Sequence, residues 1–488
     1  MNAGSALAII AFTAALALGL GLWARHGKSM SLEEWTVGGR HFGSIFVFLL
    51  LAGEIYTTFT FLGGSGYAYG KGGPAYYIIS YGCLAYVISY WLLPPIWRYA
   101  KERHLVSQPD FFVAKYDSPA LGVLVSIVGI VALVPYLVLQ FKGLGIIVST
   151  ASYGLIPPHV AIWIGAAVVT AYVIVSGMHG SAWTSVLKDF TILAVVVFLG
   201  IYLPIHWYGG FDRMFNAIQA AKPGFLALPA KGQSLAWFDS TVALTALGFF
   251  MWPHGFAASY SAKHERVFRH NAILLPLYQL ILLFVFFVGF AAILQVPGLT
   301  GPEIDLALFR LSLKTFSPWV VGIIGGAGVL TALVPGSLIL LAAATLLSKN
   351  VYRTFRGATS DAHISMVARW LVPVVALVSV YFTLRGGNTI VALLLMGYSF
   401  VTQFFPSVLM SLLRHNPVTK EGAFIGICVG VITVAVMSSL DVSLAKVAPS
   451  APQAFQDLNI GIVALGLNII ATTIVSAVTR RVPSPHHA

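Results

Sequence analysis

Residues Leu49 to Gly66 read LLLAGEIYTTFTFLGGSG. An apolar run that would otherwise make a plain membrane helix is interrupted here by Gly53, Glu54, Tyr56, Thr57, Thr58 and Thr60. It closes on Gly63, Gly64 and Gly66. An ionisable side chain in mid-bilayer costs about 2.5 to 3.5 kcal/mol on insertion scales, so it persists only where a cavity or partner receives it. Glycines and hydroxyl residues let a helix unwind where its backbone lines a cavity. The stretch therefore predicts a discontinuous helix of the kind that binds solutes, with Glu54 as its leading functional candidate.

The rest of the chain is a setting for such a helix. The 488 residues are 58% hydrophobic and 9% charged, with a mean hydropathy of +0.87, which excludes a soluble globular protein and indicates a polytopic membrane protein. A net charge of +12 raises nucleic acid as a partner, but the basic residues sit in short loops between apolar runs, the pattern of membrane topology. Nucleic-acid binding is set aside on that ground. Cys83 and Cys428 are far apart inside apolar runs, so neither a disulfide framework nor a metal cluster is indicated. The run Ala6 to Leu22 lacks a basic residue ahead of it and has Arg25 and Lys28 behind it, so it reads as a retained helix and not a signal peptide.

Apolar runs of about 20 residues mark thirteen spans, a leading helix (6–24) and spans 1 to 12. Spans 1 to 12 cover 43–69, 75–97, 119–147, 158–178, 184–206, 240–258, 271–295, 317–347, 366–384, 388–413, 421–440 and 459–479. Most of the 28 Lys and Arg residues fall in alternate loops, which places the N-terminus outside and the C-terminus in the cytoplasm, ending in a short tail over 482–488. Span 6, TALGFFMWPHGFAASYSAK, is broken near Pro253, His254 and Gly255, five helices after the break in span 1. Paired breaks opening two five-helix halves point to an inverted-repeat transporter with its site at the repeat interface. The fold class is thus all-α and the chain a single transmembrane domain, with repeats over 43–206 and 240–413 and two C-terminal helices over 421–479. The long outer segment Tyr208 to Asp239 is expected to hold a short helix over the outer vestibule.

FLGGSGYAYGKGGPAYY at the end of span 1, SAWTSVLKDFTIL entering span 5, WPH with SAKHERVFRHNA around span 6, and TLLSKNVYR ending span 8 carry a family likeness. On these motifs the chain resembles the sodium:solute symporter family, which implies the leucine-transporter fold with an extra leading helix. WPH followed by RHNAILLPLY looks most like the bacterial monocarboxylate permeases within it. In sodium-coupled members a cation sits between spans 1 and 8, on backbone carbonyls and two adjacent hydroxyl side chains of span 8. That hydroxyl pair falls on Val334 and Pro335 here, a family aspartate entering span 5 falls on Ser185, and a family glutamine one turn on falls on Lys188. A dehydrated hard cation needs oxygen ligands, so the resemblance implies a sodium-independent member whose Lys188 ammonium stands in for the ion.

The candidates each have a plainer reading. For coupling they are Glu54, Lys188, Asp189 and Lys142. The alternatives are a carboxylate capping freed N–H groups for Glu54, an interfacial pair at the inner end of span 5 for Lys188 and Asp189, and a snorkelling lysine for Lys142. Glu54 is read as the one acidic residue well inside a span. His254, beside Trp252 at the second break, is a substrate or gate contact or else a core histidine. Thr57, Thr58 and Thr60 donate to a solute or back-bond within their helix. Tyr398 and Gln403 of span 10 fall where family members contact solute, although glutamine also serves as interhelical glue. No His pair, His and Cys cluster, or nucleophile with its base is present, so neither an enzyme nor a cofactor is expected. The expected function is proton-coupled transport of a small organic solute, of the lactate, pyruvate or acetate type, across a bacterial cytoplasmic membrane. The rivals are sodium symport of another solute and a transporter-like sensor; no cytoplasmic signalling region follows span 12, which disfavours the sensor.

Overall fold

The computed structural model describes residues 2–357, 359–440 and 442–480, so Arg481 and the expected tail over 482–488 lie outside the described residues. Among the described residues, ten continuous helices are long and apolar enough to cross a bilayer, and a bent pair, Leu235–Met251 with Pro253–Tyr260, forms an eleventh such span at 50°. All thirteen apolar runs are helical. The difference in count arises because one 51-residue helix, Pro158–Tyr208, holds two spans, and because span 1 is assembled from short pieces.

Spans 4 and 5 fold back on each other at Gly177, whose φ of 53° and ψ of −145° interrupt the helix. Tyr172 Oη and Thr184 Oγ1 meet at 2.6 Å across the bend. In a straight helix these residues would be about 18 Å apart. A Cβ at position 177 would lie 2.5 Å from the Trp35 indole, so both the positive φ and the space require glycine.

Span 1 comprises Ser44–Gly53, an irregular turn over 54–57, a π-helical segment Phe59–Gly64 and Ser65–Lys71. Span 6 comprises Leu235–Gly248, a tight turn Phe249–Met251, an extended Trp252 and Pro253–Tyr260. Pro253 opens its half-helix at a position where a missing N–H costs nothing. The freed carbonyl of Met251 accepts from Gln108 Nε2 at 2.7 Å.

Span 8, Pro318–Thr345, is buried on every face beyond its first turns, where Trp319 and Ile323 are exposed, as its lack of a polar stripe demands. The leading helix Asn2–Arg25 packs on it and on spans 4 and 5. Spans 11 and 12, Lys420–Ser439 and Ile460–Thr479, pair with each other against span 10. The expected outer-loop helix is Phe211–Ala221. A second outer element, Gly301–Leu306 followed by Ala307–Thr315, was not anticipated; its Phe309 meets Phe61 edge to face at 6.3 Å.

Candidate functional site

The two helix breaks face each other. Glu54 Oε2 and His254 Nε2 lie 2.8 Å apart, both side chains nearly or wholly withdrawn from solvent. Glu54 Oε1 and His254 Nδ1 have no hydrogen-bond partner among the described residues. Each half of the pair thus has one buried polar atom left over. Rings close the site around it: Tyr136 lies 4.9 Å from Trp252 and 5.3 Å from His254, Trp252 lies 5.3 Å from Tyr398, and Tyr398 lies 5.7 Å from Tyr81. The Tyr136 hydroxyl faces Glu54 and Thr57. Tyr86 donates to the Leu51 carbonyl at 2.9 Å and fixes span 2 to the inner half of span 1. Beside the Pro253–Tyr260 half-helix, the cavity against His254 measures about 10 Å³, the space of a single water.

The threonines divide. Thr60 Oγ1 donates to the Ile55 carbonyl at 2.6 Å and accepts from Thr57 N–H at 3.1 Å, so it splints the break and leaves the substrate set. Thr57 Oγ1 accepts from Phe59 N–H at 3.2 Å. Thr58 Oγ1 is buried without a partner, its methyl seated against Gly143 of span 3.

Lys188 is fully buried. Its Nζ donates to the Gly53 carbonyl at 3.0 Å and lies 2.9 Å from Asp189 Oδ1. The reading of an interfacial pair is corrected: Lys188 lies eleven residues beyond the Gly177 bend, about 16 Å along the helix. The reading of Glu54 as the one in-span carboxylate is corrected with it, since Asp189 is 3% exposed. Gly53 has the room the amine needs, because a Cβ there would stand 3.1 Å from Nζ. Val334 and Pro335 are buried and bring no side-chain oxygen, and Ser185 Oγ donates back to the Ser181 carbonyl at 2.8 Å. Span 8 does offer one hydroxyl that sequence reasoning missed. Ser337 Oγ donates to the Val334 carbonyl at 2.6 Å and meets Ser181 Oγ of span 5 at 2.7 Å. The amine therefore ties span 5 to span 1, while a serine pair ties span 5 to span 8.

Two candidates lie elsewhere. Gln403 points away from the breaks: Nε2 donates to the carbonyls of Ser399 and Gly461, at 3.0 and 3.3 Å, and Asn468 Nδ2 donates to its Oε1 at 3.2 Å. Its amide joins span 10 to span 12, and its assignment to the solute is corrected. Lys142 does not snorkel. It donates to Asp305 Oδ2 and to the Asn388 carbonyl, both at 2.7 Å, and fastens the unanticipated outer element to spans 3 and 10. Burial pushes the Asp305 carboxyl above the ordinary range, although Lys142 and the Ile390 N–H act against it.

Tyr136, Tyr81 and Tyr86 were missed as site residues. Pro135 inside span 3 was a usable signal for Tyr136, since an in-helix proline frees a carbonyl and marks a face set against polar neighbours.

A model of the sodium:solute symporter family matches residues 35–430. The chain is 65% identical over 484 residues to the uncharacterized symporter YhjB of Bacillus subtilis (strain 168), covering 99% of both chains. It is 27% identical over 443 residues to the monocarboxylate transport permease protein of Rhizobium johnstonii, covering 87% of each. Its fold matches that of a Na+-coupled sialic acid symporter solved in a substrate-bound outward-open state, with a TM-score of 0.80, 15% identity, and 98% and 99% of the two chains covered.

Proposed function

The chain belongs to the sodium:solute symporter family, a family of membrane transporters and not of enzymes, and from that membership we propose that it carries a small monocarboxylate together with a proton. The observation that supports this reading is the Glu54 and His254 pair where the two breaks meet. A solute carboxylate beside an ionised Glu54 would be repelled, and repulsion at contact is strong in a dry pocket. A proton on Glu54 removes that repulsion and releases the His254 ring to donate a hydrogen bond to the anion. One proton then enters with each anion, so the loaded site carries the same net charge as the empty one. Half-helix N-termini at the breaks and the hydroxyls of Thr57 and Thr58 supply further donors. The relative in Rhizobium johnstonii is named for monocarboxylates, which agrees with this choice of solute.

The coupling ion is read from Lys188. A permanent amine on the Gly53 carbonyl does electrostatically what a bound metal cation would do there, and Asp189 balances its charge. Sodium is then dispensable, and the protonatable pair supplies the coupling. The transporter works by alternating access in the bacterial cytoplasmic membrane, N-terminus outside.

Purified protein in liposomes, given radiolabelled lactate, pyruvate or acetate under separate pH and sodium gradients, tests this directly. Uptake should follow the inward proton gradient and ignore sodium. Uptake that follows sodium and ignores pH would establish sodium symport in its place.

A further inference from the structure

The leading helix lies outside the two halves that carry the site, yet its C-terminal end forms one wall of a groove of about 730 Å³. The opposite wall is the first turns of span 9, Asp361–Arg385. Three cations line this groove, Arg25, Lys28 and Arg369, and the single carboxylate among them, Asp361, is engaged by Arg353 at 3.0 Å. Arg369 donates from Nη2 to the Met30 carbonyl at 3.1 Å and lies over the Trp35 ring. Its Nε is buried without an acceptor, and so is the nearby Ser365 Oγ. The groove thus presents donors and positive charge, and among the described residues its lining holds no carboxylate besides Asp361. Beyond the cations the wall turns apolar, through Met366 and Trp370, which are 50% and 73% exposed and face outward with the lipid-facing side of span 9.

Positive charge at one end and exposed hydrocarbon at the other matches an amphiphile. We propose that this groove binds the headgroup of an anionic phospholipid, with the phosphate between Arg25, Lys28 and Arg369 and an acyl chain along Met366 and Trp370. The helix ends and the loop that carry these cations belong to the face that the charge distribution assigns to the cytoplasm, and basic pockets between helices on that side hold anionic headgroups. The bound lipid joins the leading helix to span 9. A free phosphate shares the headgroup chemistry but gains nothing from the apolar wall, so the wall distinguishes the two sources.

Full-length protein in detergent, mixed with equal amounts of phosphatidylglycerol and phosphatidylcholine of the same acyl composition, is read by native mass spectrometry. The wild type should retain phosphatidylglycerol at least tenfold over phosphatidylcholine. Arg25→Gln with Lys28→Gln, both exposed and away from the solute site, should lower retention about fivefold per cation. Trp370→Ala should lower it with no change of charge, and millimolar inorganic phosphate should not displace the lipid. Equal retention of the two lipids, or a double variant that holds phosphatidylglycerol as the wild type does, overturns the proposal. Displacement by inorganic phosphate alone would reassign the groove to a free anion and overturn the lipid.

Discussion

Lys188 Nζ and the carbonyl oxygen of Gly53 are 3.0 Å apart, with the carboxylate of the next residue along the helix, Asp189, 2.9 Å from the amine. The pair is sealed from water, so its charges cannot be separated cheaply. Removing one partner of a buried ion pair costs about 3 to 5 kcal/mol because it strands the other charge. The fixed cation thus depends on Asp189, and the end of the first half of span 1 depends on the fixed cation.

Lys188→Ala alone should therefore lower stability and abolish pH-driven uptake together, which confounds two causes. The combination of Lys188→Gln with Asp189→Asn keeps shape and removes both charges. We expect it to unfold within a few degrees of the wild type while pH-driven uptake is lost and solute exchange is retained. Thermal unfolding beside proteoliposome flux measures both, and undiminished pH-driven uptake in the double variant would remove Lys188 from the coupling scheme.

For the pair at the breaks, Glu54→Gln mimics the protonated carboxyl. Exchange should persist and its pH dependence should flatten, while uptake against a gradient is lost. His254→Ala removes a charge-assisted hydrogen bond, worth about 1.5 to 3 kcal/mol, so the apparent affinity for every monocarboxylate should fall by about tenfold to a hundredfold. Unaltered affinity across several solutes would return His254 to a packing role.

Why Glu54, His254 and Lys188 could be found by reading, and Tyr136 and Ser337 could not, has a physical basis. A charge or imidazole in an apolar run contradicts its surroundings, and the contradiction is local. A tyrosine or serine in a membrane helix contradicts nothing, since rings pack and hydroxyls back-bond to their own helix. Their site role depends on which face the helix turns toward partners far along the chain: Tyr136 meets Trp252, and Ser337 meets Ser181. Gln403 was misread for the same reason, because the helix that claims its amide comes after it. The two breaks and the thirteen spans were legible since hydropathy, glycine and proline record them one segment at a time. The outer element held by Lys142 and Asp305 was not, being too short and too mixed to carry a period.

Gln403→Ala gives a contrast within span 10. Loss of a buried amide that joins two helices should destabilise the protein by about 1 to 3 kcal/mol, yet leave substrate affinity unchanged. Tyr398→Phe should do the reverse, since its ring packs on Trp252 and its hydroxyl meets Tyr81 and Trp252 beside the Glu54 and His254 pair. A Gln403→Ala protein with wild-type thermal stability and weakened affinity would restore the glutamine to the solute.

Asp110 makes the acid limb of the stability curve predictable. It lies in the inner-loop helix Gln108–Tyr116, where it closes a capping box with Ser107. Lys349, at the inner end of span 8, reaches it at 2.6 Å, and Asn350 Nδ2 donates to it at 2.8 Å. Burial pulls this carboxyl up, but Lys349, Asn350 and the Val106 N–H together outweigh burial and hold it below the ordinary carboxylate range. A carboxyl depressed in the folded state contributes stability that is fully present above its unfolded value of about 3.9 and is lost as pH falls through the folded value. Asp110→Asn should thus lower the thermal midpoint by a constant amount between pH 8 and about pH 5, corresponding to roughly 3 to 5 kcal/mol for a broken buried pair. Below about pH 4 the wild type should fall toward the variant and the two curves should converge. Midpoints taken across that range decide it, and a gap that widens toward acid would show that the Asp110 and Lys349 contact does not hold the inner loop to span 8.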